Sequence, residues 1–245
     1  MWLRSSTAFV LLVLVTSCSV TVPGSAGPDP SPSAGSNPPS TGPRSTPAVP
    51  AGVDPEVATD IDSAERVVND FWTRHWNETF TGEYSPPTVK GVYDGRDPGA
   101  PTCAGEPLPP DNAVYCPDGD YVAWDVQLMN RSQEVGDAWV YLVIAHEWGH
   151  AIQRRIALSL NDVQSELQAD CLAGATIFGA IEDRSLQLEE GDVKEIANSL
   201  TLVADETPWT NSTDHGDPFE RIDAFDTGRN GGVRACLPIN QTSGR

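Results

Sequence analysis

The sequence predicts an α+β domain, mainly helical, with a small β-sheet in its first half. Two observations predict it. Apolar side chains recur at helical spacing around residues 61–72 and again through most of the stretch from 137 to 205. Residues 80–120, by contrast, are rich in Pro, Gly and Tyr, which suits loops and short strands. No internal repeat is present.

Residues 1–17 read as an export signal. Arg4 supplies a positive start, and Ala8 to Val15 is an unbroken apolar run too short to span a bilayer as a finished helix. The run ends in Val15-Thr16-Ser17-Cys18, which resembles the lipobox of bacterial lipoproteins. That resemblance implies cleavage before Cys18, a lipid on its thiol, and tethering to the extracytoplasmic face of a bacterial membrane. Residues 18–55 follow as a Pro/Ser/Gly-rich tether, with ten prolines between 19 and 55 and almost no large apolar side chain. Such a stretch buries too little surface to offset its ordering entropy. At ~3.1 Å per residue it reaches roughly 110 Å.

The folded domain is expected over residues 56–245, with order setting in near Val53. Ile61, Ala64, Val67, Val68, Phe71 and Trp72 mark the first helix, with Asp60 or Asp62 as its N-cap. Tyr121 to Asp125 reads as a strand, and Leu128 and Met129 begin another packed element. Helices follow over about 137–157, 161–183 and 191–205. A last helix is expected over 215–225, with an irregular tail through Cys236. His75, within Trp72-Thr-Arg-His-Trp76, reads as a packing or interface residue, and the acidic run 182–192 as a solvated face.

A formal net charge of −20 repels nucleic acid, so nucleic-acid binding is excluded as a function class. Besides Cys18 there are four cysteines, an even number in an exported chain, which implies two disulfides in one of three pairings. The Pro- and Gly-containing stretch between Cys103 and Cys116 closes easily, leaving Cys171 to pair with Cys236. No C-x-x-C occurs, which argues against a structural zinc knuckle.

The chemistry is concentrated in His146-Glu147-Trp148-Gly149-His150. Residues i and i+4 share a helix face, so both imidazoles can reach one Zn²⁺, while Glu147 can approach a water beside it as general base. Glu166 and Asp170 repeat the one-turn spacing on the next helix. Glu166 is the candidate third ligand, leaving one position open, and Asp170 the acceptor that orients an imidazole, assigned to His146.

Ala145 to His150, Glu166 to Gly174, and His215-Gly216 with Glu220-Arg221 and Phe225 to Gly228 together resemble the neutral zinc metallopeptidases of bacteria, within the gluzincin group. Tyr115-Cys116-Pro117 with residues 121–125 is a weaker fourth match. The resemblance spans roughly residues 60–230 and implies a zincin-like fold, a zinc cofactor and hydrolysis of a peptide or protein substrate. By similarity His215 stabilises the oxyanion, oriented by Asp214 or Asp217, and the 121–125 strand offers an edge to extended substrate. Asp217 and Glu220 depart from the family pattern. A non-catalytic lipoprotein that keeps the zinc fold as a scaffold or binding module is the alternative.

Overall fold

Helix formation begins at an Asp-Pro pair. In α1 (Pro55–Thr79) Asp54 is the N-cap, its side chain accepting the Glu56 N–H, and Pro55 takes the first position, where a missing N–H costs nothing. The expected caps Asp60 and Asp62 therefore lie inside the helix. The apolar periodicity read from Ile61 onward shows only part of the buried face, whereas this helix starts a turn or more earlier, with Val57 already in the core. Ile61, Ala64, Val68, Phe71, Trp72 and Trp76 form the buried face, and Val53 already belongs to the core. The structure, a computed structural model, describes residues 51–156, 165–206 and 215–237. The export signal, Cys18 and nearly all of the tether lie outside the described residues.

Five short strands follow. They are β1 (Thr88–Tyr93), β2 (Thr102–Cys103), β3 (Glu106–Pro107), β4 (Ala113–Cys116) and β5 (Tyr121–Asp125). β1, β5 and β4 make a small mixed sheet in that order, with β5 parallel to β1 and antiparallel to β4. β2 and β3 pair separately, and the Cys103–Cys116 disulfide, with Cα atoms 5.7 Å apart, ties that ribbon to β4. All five residues of β5 are buried and both of its sides are paired. The expectation that 121–125 offers a substrate edge is thus corrected: β1 and β4 are the edge strands, and β4 is the one beside Glu147.

β5 ends on Asp125, a carboxylate with no exposed surface. It accepts the N–H groups of Gly95 and Gln127 at 2.9 Å each, so its burial is compensated. As N-cap it starts α2 (Val126–Asn130), which leads through α3 (Ser132–Val135) to α4 (Ala138–Arg155). α4 is buried on nearly every side, with Trp139, Ile144, Trp148 and Ile152 in the core. Next come α5 (Ser165–Glu182), α6 (Asp192–Leu202) and α7 (Pro218–Ala235). Residues 157–164, part of which was expected to be helical, lie outside the described residues.

α7 runs ten residues past the end its periodicity implied, bending only at Gly232, where φ is 63°. The reason is tertiary. A Cβ on Gly228 would stand 1.8 Å from the Cys171 carbonyl oxygen, and one on Gly174 would stand 2.1 Å from that of Phe225. These two glycines let the backbones of α5 and α7 touch. The Cys171–Cys236 disulfide closes the same interface, with Cα atoms 5.5 Å apart across 65 residues. Closing a loop of that length stabilises a fold by about 4 kcal/mol in the chain-entropy account. Both expected disulfides are present. No helix among the described residues is long and apolar enough to cross a membrane.

His75 packs on Phe71, with ring centroids 4.7 Å apart, and pins α1 to the end of α5. Its Nε2 lies 2.8 Å from Asp183 and its Nδ1 3.0 Å from Glu78, while Arg74 reaches Asp183 at 3.2 Å. Asp183 is therefore an exception to the solvated acidic face. Burial alone lowers the His75 pKa, but the two carboxylates outweigh it and hold the imidazole above its ordinary 6.5. Burial likewise raises Asp183, and its bonds to His75 and Arg74 hold it below 3.8. A raised histidine stabilises fully below pH 6.5 and loses that contribution as pH rises through its folded pKa. The stability difference between wild type and His75→Gln in urea is thus expected to be largest near pH 5–6, up to about 1 kcal/mol, and to shrink towards pH 9. A difference independent of pH would count against the pair.

Candidate metal centre

Two close approaches build the centre. Gly149, inside the His146–His150 segment of α4, faces Ala169 of α5, whose carbonyl oxygen would stand 3.0 Å from an added Cβ. That contact sets Glu166 and Asp170, one turn apart on α5, against the two histidines. The α5–α7 contact at Gly174 and Gly228 in turn sets Arg221 against Asp170.

The donor atoms converge. The Nε2 atoms of His146 and His150 are 3.2 Å apart, and the Glu166 carboxylate lies 3.2 Å from the first and 3.5 Å from the second. The carboxylate meets His146 through Oε2 and His150 through Oε1, and donors at 2.0–2.2 Å from a tetrahedral zinc are separated by roughly 3.3–3.6 Å, so the spacing is compatible with one such ion. His146, His150 and Glu166 thus fit a zinc ion. A second carboxylate group, Asp137, Asp192 and Glu195, has no imidazole, and Asp137 is exposed.

Each imidazole is held from behind. His146 Nδ1 lies 2.8 Å from Asp170, as expected from the sequence. Asp170 is fully buried and takes a two-point bond from Arg221, at 2.7 Å from Nε and 2.8 Å from Nη2, while Arg221 Nη1 donates to the Val203 carbonyl at 2.9 Å. His150 Nδ1 lies 2.9 Å from the Gln153 side-chain oxygen. Burial disfavours the charged form of every group here, yet the carboxylates prevail. Asp170 and Glu166 push His146 up to about 10, and the imidazoles hold Glu166 far below the usual carboxylate range. His150 is also raised, its burial outweighed by Glu166. Such a cluster strongly prefers a cation among its donor atoms, and a divalent ion competes with protons for the same lone pairs.

Glu147 stands apart from the ligands. Its Oε2 accepts the backbone N–H of Tyr115 on β4 at 2.7 Å, which fixes the carboxylate beside the strand edge. Tyr115, His146, Glu147, His150, Glu166 and His215 all line one cleft of ≈ 680 Å³. His215 is exposed, and its orientation differs from expectation. Asp217 caps α7, accepting the Phe219 and Glu220 N–H groups, and is committed there. Asp205 holds His215 instead, through the backbone N–H at 2.6 Å and with Nδ1 3.6 Å away. Asp214 lies outside the described residues.

The sequence did not single out Gln153, Asp205 or the Tyr115 N–H, and it marked Arg221 only within a resemblance. Gln153 alone had a local signal, its i+3 spacing from His150. The other partners are 10 to 51 residues from the groups they touch, where helix spacing carries no information. No family model, no curated protein and no solved structure matches the chain.

Proposed function

We propose that the chain is a zinc metallopeptidase of zincin-like fold, exported and held at the outer face of a bacterial membrane by a lipid on Cys18. The neutral zinc metallopeptidases of bacteria are the family it resembles. The spacing of the three donors, with a separate carboxylate beside them in an open cleft, is the observation that carries the reading. His146, His150 and Glu166 hold the ion, leaving a position open to solvent. Zinc there supplies Lewis acidity, which polarises a carbonyl and activates water near neutral pH.

The chain's own groups do the rest. Glu147 takes a proton from the attacking water and passes it to the leaving amine. Its bond from the Tyr115 N–H keeps one oxygen fixed while the other is free for that proton. The outer edge of β4 pairs with an extended substrate backbone, by strand addition. His215 donates a hydrogen bond to the developing oxyanion, a role that typically supplies ~2.7–4 kcal/mol. Asp170, with its charge balanced by Arg221, keeps His146 in the tautomer that presents Nε2.

The test is direct. The mature chain, loaded with zinc, is incubated with an unstructured protein and with folded controls. One equivalent of zinc and chelator-sensitive cleavage of the unstructured protein are expected. Stoichiometric zinc without cleavage of any peptide would instead favour the non-catalytic scaffold.

A further inference from the structure

We propose that Gln153 is the positioning residue that sets the distance between His150 and Glu166, an inference that rests on the metal-centre reading above. Gln153 is 3% exposed and sits one turn beyond His150 on α4. Its side-chain amide is fully engaged. Oε1 lies 2.9 Å from His150 Nδ1, and Nε2 lies 2.6 Å from the Ser165 carbonyl oxygen and 3.0 Å from Gln168 Oε1.

These contacts determine the direction of the amide. The Ser165 carbonyl can only accept, so the NH₂ end must face it and the carbonyl end is left to the imidazole. A carbonyl oxygen carries no hydrogen, so Nδ1 of His150 is the protonated nitrogen and Nε2 turns its lone pair towards His146 and Glu166. Ser165 is the residue immediately before Glu166. One buried side chain therefore grips a ligand of α4 and the peptide unit adjoining the ligand of α5.

The rest of the α4–α5 contact does not substitute for it. Gly149 against Ala169, and His146 against Asp170, brace the helices one turn further along α5. The first turn of α5, which carries Glu166, is braced by Gln153. Gln168 carries the contact outward, away from the donor atoms, by donating to the Cys236 carbonyl at 3.0 Å beside the disulfide to Cys171. Two of the three donors thus depend on one amide, and the ligand separation follows from it.

The experiment measures zinc and cobalt(II) affinity by chelator competition for the mature wild type, Gln153→Leu and Gln168→Leu, with urea unfolding of each metal-free form. The visible spectrum of each cobalt form is recorded alongside. Gln153→Leu is expected to weaken both ions 10–100-fold and to alter the cobalt spectrum. Gln168→Leu, which removes the outer brace but leaves Gln153 on His150, is expected to lose stability while keeping most of its affinity. If Gln153→Leu does not fold, Gln153→Met, unbranched and of similar length, replaces it with the same expectation. Wild-type affinity in the Gln153 variant, or affinity losses that merely track stability in both positions, overturns the proposal. A wild type that binds neither ion overturns the metal-centre reading itself.

Discussion

Arg221→Met is expected to destabilise the protein by about 3–5 kcal/mol, the cost of breaking a buried pair by removing one partner. Arg221 is 4% exposed and Asp170 has no exposed surface, so neither charge can turn to water. The guanidinium meets the carboxylate at two points, 2.7 and 2.8 Å, and spends a third N–H on Val203. Methionine fills much of the volume but leaves the Asp170 carboxylate with His146 alone. Urea unfolding of the metal-free protein should show a lower midpoint with an unchanged slope. Adding Asp170→Asn to Arg221→Met should recover part of the loss, because the buried charge goes with it. A loss below about 1 kcal/mol would contradict the place given to this pair.

The second large effect is on turnover. Glu147→Gln is expected to lower kcat by ~10²–10⁴-fold, the usual contribution of a positioned general base. Zinc content should stay at the wild-type level, because Glu147 lies outside the group, His146, His150 and Glu166, that could hold a metal ion. The fold should persist too, since a glutamine oxygen can still accept the Tyr115 N–H that Glu147 accepts at 2.7 Å. Turnover near wild type would remove Glu147 from the chemistry. Loss of zinc would make it a ligand rather than a base.

What was legible in the sequence is what depends on local spacing. The one-turn repeats in His146–His150 and Glu166–Asp170 brought four of the site's side chains together, because helix geometry fixes which residues share a face. The two disulfides followed from an even cysteine count and a short closable loop. Relations between elements were not legible. That β5 is central and β4 an edge depends on strand order, which alternation within one strand does not encode. The full length of α7 depends on backbone contact at Gly228, whereas propensity alone reads Gly as a break. Asp217 read as a partner for His215 because it is near in sequence, but an aspartate just before a proline at a helix start caps the helix. Arg221 and Gln153, which hold Asp170 and His150, have polar types common on any surface, and burial with their contacts, more than spacing, reveals their role.

Metal analysis of purified wild type beside Glu166→Ala tests the central claim most directly. After dialysis against a weak chelator, wild type is expected to retain one zinc per chain and Glu166→Ala to retain almost none, with both forms folded by far-UV circular dichroism. A Glu166→Ala protein that keeps its full equivalent of zinc would contradict a centre built from His146, His150 and Glu166.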